Sequence, residues 1–367
     1  MLSNTYKKSN RLIEIDYLRA YGVMFVVFLH QCLSCVNKNN LILNIINNTQ
    51  LSVGVDLFFA ISGYVIALNI KKIDTLEINL SVISDFILRF YRKRFVRLWP
   101  ASALWLSINV IISIILFKYN GPFPSIEKTI SKAFMGFVYL YNFNEWKNPG
   151  PLGYFWSLSV EWQFYIIFPL FIFFCKSNFL RISILLMSLT ASVIFQPGGG
   201  LWGLFRFDGF VFGYIAYLIV DNTNISIPKY ICMKNIVLRF LFIIIMMGSI
   251  ILIPSNIPNV RIGYLISSIL CSIIVGAAAL NRGYIIPLGG KRIIGWIGSR
   301  SYSLYLCHLP VILTYITLIN EIEIKFPIFF RYETKMYYIL TMFFSLIAAE
   351  ITYRFVELPS HKASRKI

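Results

Sequence analysis

The chain has 367 residues, of which 57% are hydrophobic, 17% aromatic and only 14% charged, well below the roughly 25% charged residues of soluble domains. Together with a mean hydropathy of +0.70, this excludes an ordinary soluble domain. The basic excess, 34 Lys and Arg against 16 Asp and Glu, would suggest nucleic acid in a soluble protein. Here no DNA- or RNA-binding motif occurs, and cations of a membrane protein mark cytoplasmic loops and meet anionic lipid headgroups.

Apolar residues recur in blocks long enough for an α-helix to cross the bilayer, at about 15–36, 51–70, 98–118, 157–175, 181–196, 207–220, 236–253, 261–280, 302–320 and 336–355. The alternating ten-residue strands of a membrane β-barrel are not seen. The first 14 residues lack a cleavable signal pattern, so Leu12 onward reads as helix 1 acting as an uncleaved anchor.

Helix 1 carries Arg19 and His30, eleven residues apart. At 100° and 1.5 Å per residue they lie about 20° apart in phase and roughly 16 Å apart along the axis, on one face. Cys32 and Cys35 follow in the stretch CLSC; two thiols one turn apart at a bilayer edge are read as packing, and no metal site is expected. Helix 2 brings Asp56 and Ser62. The stretch RFYRKRFVRLWP, Arg89 to Pro100, crowds Arg92, Lys93, Arg94 and Arg97 just before helix 3. Arginine forks bind phosphate oxygens bidentately, so this cluster is either a phosphate site or a positive-inside anchor.

The stretch 131–145 is apolar but short, and flanked by Lys128, Lys132 and Lys147. Helix 4 starts near Trp156 and holds Glu161 and Tyr165, and helix 6 starts at Arg206 and Asp208. His308 falls in the inner third of helix 9, and His361 in a basic tail where a solvated role is expected. Ionisable residues inside spans are costly and by default mark a functional site.

Loop charges set the topology. After residue 158, alternate loops hold 13 basic residues on one side and 5 on the other; Lys7, Lys8, Arg11 and seven more in 71–97 share the richer side only if 131–145 does not span. The expectation is an all-α polytopic membrane protein, one integral-membrane domain over 1–367 with about ten transmembrane helices and both termini cytoplasmic, and 119–156 an outer non-spanning segment or lid. His30, Asp56, Glu161, Arg206 and Asp208 then all fall in the outer half of the membrane. No GxSxG, HExxH or P-loop pattern occurs.

These stretches resemble the membrane-bound acyltransferase family 3, which includes bacterial O-acetyltransferases of surface polysaccharides. The resemblance rests on IDYLRAYGVMFVVFLH at 15–30, GVDLFFAISGYVIA at 54–67, RFVRLWPA at 94–101, FWSLSVEWQFYIIFP at 155–169, RFDGFVFG at 206–213, SYSLYLCHLPV at 301–311 and YRFVELP at 353–359, in order. It implies transfer of an acyl group, usually acetyl from cytoplasmic acetyl-CoA, to a glycan hydroxyl at the outer face of the bacterial cytoplasmic (inner) membrane. It also implies that His30 is the catalytic residue and that Arg19, Arg94 and Arg97 serve the acyl-CoA donor. Family members often carry an extracytoplasmic esterase-like domain; since the chain stops at Ile367, a second transfer by such a domain is not expected unless another protein supplies it.

On this basis the phosphates of CoA are expected on Arg92, Arg94 and Arg97 with Arg19 nearby, and the pantetheine arm along a polar path on helix 1. His30 suits a general base or a nucleophile, with Glu161 or Asp56 as the carboxylate that holds its tautomer. Arg206, Ser62, Tyr165 and Trp156 are expected to polarise the thioester oxygen or bind sugar. The rival from another class is a proton-coupled transporter or glycan-lipid flippase, against which stand the lack of a repeat between halves and the Arg-rich stretch.

Overall fold

A computed structural model describes residues 12–35, 40–71, 80–119, 122–143, 150–194, 206–222, 236–286, 289–325 and 334–367. Lys7, Lys8, Arg11, Lys72, Arg331 and most of the loop at 221–239, all used in the charge count, lie outside the described residues, as does Lys147. The helices are α1 (Ile13–Ser34), α2 (Asn40–Asn48), α3 (Val53–Ile70), α4 (Leu80–Leu116), α5 (Ile126–Phe137), α6 (Phe155–Phe174), α7 (Asn178–Ile194), α8 (Asp208–Asn222), α9 (Ile236–Ser255), α10 (Val260–Ala279), α11 (Lys291–Ser299), α12 (Ser301–Lys325), α13 (Thr334–Thr352) and α14 (Leu358–Arg365).

Each apolar block of the sequence coincides with a helix, and among the described residues seven helical stretches are long and apolar enough to cross a bilayer. The other three blocks are α1, whose Glu14, Asp16, Arg19, His30 and Gln31 dilute its apolar character, and the shorter α7 and α8. The stretch 131–145 becomes the twelve-residue α5 and a turn, shorter than the roughly 20 residues a span needs. It folds back on the bundle: Tyr139 shares a hydrogen bond with Ser102 at 2.6 Å, and Gln163 Nε2 donates to the Tyr139 carbonyl at 3.0 Å.

One expectation changes. The Arg-rich stretch is not a loop before a helix; it lies inside α4, a continuous 37-residue helix about 55 Å long. Helical phase then separates its cations. Arg94 and Arg97, three residues apart, share a face, whereas Arg92 and Lys93 point outward and are exposed.

Lipid tails give apolar helices no reason to prefer one another, so close packing relies on small residues that let backbones touch. On α8, Gly209 and Gly213 lie one turn apart against α3. A Cβ added at Gly213 would fall 2.2 Å from the Ala60 carbonyl oxygen, and one at Gly63 equally close to that of Phe210. On the other side of α3, a Cβ at Gly54 would fall 2.4 Å from the Gly22 carbonyl of α1. Helix α3 is thus clamped between α1 and α8 with no room for a methyl group.

The same α3–α8 seam holds a buried ion cluster. Arg206, just before α8, donates to the fully buried Asp56 of α3 and lies 3.5 Å from Asp208, which accepts a 2.7 Å hydrogen bond from Ser268 of α10. The guanidinium stacks 4.0 Å over the Tyr264 ring. Charges taken out of water persist only when paired in this way.

Gly213→Ala is therefore expected to destabilise the folded protein by about 1–3 kcal/mol through overpacking, read as a lower thermal midpoint in detergent. Gly248→Ala, where an added Cβ meets nothing within 4 Å, should leave that midpoint unchanged. Asp56→Ala leaves Arg206 with one carboxylate and is expected to lose about 3–5 kcal/mol; a midpoint equal to wild type would contradict a structural role for the cluster.

Candidate functional site

A cavity of about 920 Å³ opens among α1, α3, α4, α6, α12 and α14. At the end where α1 begins and α14 lies, its wall carries Arg19, Arg94, Arg97, Lys362 and Arg365 against Asp16 and Glu357. Two of these cations are occupied. Arg19 is paired to Asp16 at 3.0 Å, three residues back on the same helix, and Arg94 stacks 4.9 Å over the Tyr165 ring. Arg97, by contrast, makes no hydrogen bond or ion pair among the described residues, although it sits among Arg94, Arg19 and Glu357. Glu357 is held at 2.6 Å by Ser303.

Midway along the cavity, Glu161 of α6 accepts hydrogen bonds from Ser62 of α3 and from Tyr165 one turn further on, both at 2.5 Å. The closed end is a hydroxyl layer. Tyr305 of α12 and Ser157 of α6 meet at 2.5 Å, and Tyr305 also donates to the Tyr154 carbonyl at 3.2 Å.

Behind this layer stand two histidines. His30 Nδ1 lies 2.9 Å from the Val26 carbonyl oxygen and 3.2 Å from His308 Nε2, and the other nitrogen of His308, Nδ1, lies 2.7 Å from the Tyr305 carbonyl oxygen. The rings are 4.9 Å apart between centroids, and that of His308 is 5.6 Å from the Tyr305 ring. His308 is fully buried and His30 partly exposed. Among the described residues His30 Nε2 has no hydrogen-bond partner.

Local sequence explains how His308 is held. Pro310 lies inside α12 and has no N–H to give the Leu306 carbonyl one turn back. The Tyr154 hydroxyl takes that place at 2.7 Å, which fixes α12 against the start of α6. The C-terminal end of α1 is tied to α13: Gln31 Nε2 donates to Thr341 at 2.8 Å and to the Tyr338 carbonyl at 3.0 Å, while Tyr337 donates to the Gln31 carbonyl at 2.9 Å.

The candidate residues thus divide. Arg19, Arg94, Arg97, Ser62, Glu161 and Tyr165 share the cavity. Arg92 is exposed on the outer face of α4 and does not line it. Asp56, Arg206 and Trp156 lie off the cavity in the buried ion cluster, where Trp156 lies 5.7 Å beneath the Arg206 guanidinium; Arg206 is ion-paired with Asp56 and Asp208, while Asp56 Oδ2, Arg206 Nε and Asp208 Oδ1 make no hydrogen bond. Neither Asp56 nor Glu161 bonds His30, so no carboxylate holds its tautomer. The path along helix 1 also ends early: α1 contributes Leu12, Ile15, Asp16 and Arg19 to the wall, and further in the wall belongs to α3, α6 and α12.

His308 is the residue that sequence reasoning passed over. It lies seven residues into α12, about 10 Å along it, and the α11 residue Gly298 just before α12 abuts the Asp16 backbone near the start of α1, a Cβ there falling 2.1 Å from the Asp16 carbonyl oxygen. Even so, its Nε2 lies 3.2 Å from Nδ1 of His30, toward the other end of α1. The usable signal was one of only three histidines in the chain, placed inside a span two residues before a proline. Tyr302, Tyr305, Glu357, His361, Lys362 and Arg365, which also line the cavity, come from the SYSLYLCHLPV and YRFVELP stretches and the tail beyond.

Comparison with known proteins bears on this arrangement. The chain is 27% identical to peptidoglycan O-acetyltransferase OatA of Listeria monocytogenes, over 98% of this chain and 58% of the relative. It is also 27% identical to the Bacillus subtilis protein named "Putative peptidoglycan O-acetyltransferase YrhL", over 94% of this chain and 54% of the relative. The chain therefore spans little more than half the length of these relatives. No solved structure matches it. A family profile described as an acyltransferase domain matches residues 12–354, nearly the whole chain and all the helices that build the cavity except α14, and on that match the chain belongs to the membrane-bound acyltransferase family 3.

Proposed function

We propose that this protein is an integral-membrane O-acyltransferase that moves an acyl group, acetyl, from cytoplasmic acyl-CoA to a hydroxyl of a cell-surface or lipid-linked glycan at the outer face of the bacterial cytoplasmic membrane. The observation that carries this reading is the polarity of one cavity: cations at its mouth, of which Arg97 makes no hydrogen bond or ion pair among the described residues, and at its closed end a hydroxyl layer backed by a histidine pair. The names of the relatives add a glycan of the peptidoglycan type as the acceptor. Topologically, the reading takes ten spans with both termini cytoplasmic, which turns the cavity mouth toward the cytoplasm and the outer end of α1 toward the acceptor.

The residues present suit such a donor. Ligand cavities run to about 300–1,000 Å³, and this one, at about 920 Å³, is at the upper end, fit for a long thioester whose nucleotide end reaches out of the mouth. Arg94 and Arg97, one turn apart on one face, match the fork geometry that grips phosphate, with Lys362 and Arg365 opposite on α14. The donor supplies an activated acyl carbon. Glu161, held by Ser62 and Tyr165, presents a fixed polar patch to the linking arm halfway. The Tyr305 and Ser157 hydroxyls stand where a thioester carbonyl would need hydrogen-bond donors.

Beyond that layer His30 acts as general base. With Nδ1 facing a carbonyl oxygen, its proton sits on Nδ1 and the Nε2 lone pair is free to take the proton of the acceptor hydroxyl. A C–O bond then forms as the C–S bond breaks, and the proton passes from Nε2 to the departing thiolate. Because the cavity ends at Tyr305 and Ser157, the reaction requires that layer to part.

Two results follow. His30→Ala should abolish acetylation of glycan by protein reconstituted in vesicles, while insertion and thermal midpoint stay as in wild type; acetylation at the wild-type rate by His30→Ala would remove His30 from the chemistry. Arg97→Ala loses a charge-assisted contact of about 1.5–3 kcal/mol and should raise the KM for acetyl-CoA by roughly 10–100-fold, with Arg92→Ala within twofold of wild type. Equal effects of the two would reduce the cluster to a membrane anchor, and no acyl transfer from acetyl-CoA by wild-type protein would favour the transporter.

A further inference from the structure

We infer that His308 is the positioning residue of His30, taking through its Nε2 lone pair the place that a carboxylate holds in a catalytic triad. The inference rests on the reading of His30 as base, and extends it to a residue outside the cavity that touches neither donor nor acceptor.

The argument is one of donors and acceptors. Tyr305 offers His308 only a carbonyl oxygen, 2.7 Å from Nδ1, so Nδ1 of His308 carries a proton. A neutral imidazole has one N–H, which leaves Nε2 of His308 as a lone pair aimed at His30 Nδ1, 3.2 Å away. His30 Nδ1 then meets two acceptors, that lone pair and the Val26 oxygen at 2.9 Å, and must itself be the N–H. The resulting chain runs one way: His30 Nδ1–H to His308 Nε2, His308 Nδ1–H to the Tyr305 carbonyl. Any other assignment sets two lone pairs or two hydrogens against each other.

Two consequences separate this role from simple packing. The Val26 carbonyl already lies on the helical ladder of α1 and is at best a shared acceptor, so among the described residues His308 supplies the acceptor for Nδ1 that is not otherwise engaged. When His30 takes a proton at Nε2, its ring becomes a cation, and the N–H aimed at His308 strengthens, spreading charge toward the Tyr305 carbonyl. A neutral partner does this without the desolvation burden of a buried carboxylate. Burial keeps the geometry: His308 is fully buried, Pro310 and Tyr154 pin its helix, and the Tyr154 ring lies 5.5 Å from that of His308.

The test reads the tautomer directly. Protein labelled with [15N]histidine and held in lipid nanodiscs gives few signals, since the chain has three histidines, and those of His30 are assigned by their loss in His30→Ala. Wild type is expected to show neutral His30 wholly protonated at Nδ1. His308→Leu should add the Nε2-protonated form and lower kcat about 10–100-fold, the range for losing a partner that orients a ligand ring, with KM for acetyl-CoA within twofold. His308→Gln, whose amide oxygen reaches the place of Nε2, should restore both the tautomer and most of kcat. His308→Asn, which reaches only the place of Nδ1, should not, and it stands in for His308→Leu if that variant fails to fold. An unchanged tautomer in both His308→Leu and His308→Asn overturns the inference, as does His308→Gln behaving like them. The spectrum needs no donor or acceptor, so a failure of acyl transfer in wild type would overturn the function while leaving this result readable.

Discussion

Inside a bilayer a polar side chain has no water to fall back on, so it either finds a partner in the protein or remains at a cost. That constraint organises this bundle. Glu14 is buried at the start of α1 and accepts from the Gly283 and Ile285 amides at 2.7 Å each. Arg181 is buried and donates to the Ile172 carbonyl at 2.9 Å near the end of α6. Asp56, Arg206 and Asp208 form ion pairs with one another between α3 and α8. Two groups near the cavity matter most here: the Arg97 guanidinium, which makes no hydrogen bond or ion pair among the described residues, and the Nε2 of His30, which has no hydrogen-bond partner there. One faces the mouth of the cavity and the other lies behind its closed end.

Between them the bundle interposes Tyr305 and Ser157. Under the proposed function, with a charged donor on one side and a glycan on the other, the separation has a physical rationale. A continuous polar channel from Arg97 to His30 would leak ions and water, and would hydrolyse a thioester before an acceptor arrived. A hydroxyl layer held by the 2.5 Å Tyr305–Ser157 hydrogen bond and the 3.2 Å bond from Tyr305 to the Tyr154 carbonyl can exchange those bonds as it parts, which a packed apolar plug cannot. The backbone that carries Tyr305 also accepts from His308, so movement of the layer and orientation of the histidine pair share one helix turn.

Much of this was legible in the residues. The period and length of the apolar blocks located ten helices, and the phase of Arg19 with His30 held because α1 is unbroken. Arg94 and Arg97 were legible as a pair by their spacing, but Arg92 was not separable from them until the stretch was seen to be helical, which puts it about 200° from Arg94. Asp56 and Arg206 were singled out correctly as costly residues, yet sequence cannot tell an ion pair that satisfies itself from a pair left open for substrate, because 150 residues separate the two partners. His308 was missed for a related reason. Depth counted along α12 alone placed it low, and only its 3.2 Å contact with His30 shows which level of α1 it faces.

The central claim is that one cavity holds the acyl donor with its phosphates at Arg94 and Arg97 and its acyl end at the Tyr305–Ser157 layer. A cryo-electron microscopy map of the protein with a non-hydrolysable acetyl-CoA analogue tests it most directly. The account predicts density running from the arginine pair past Glu161 to Tyr305, on the far side of the layer from the glycan. Density for the analogue elsewhere on the bundle, or with its acyl end at Arg97 and its phosphates toward Tyr305, would contradict it.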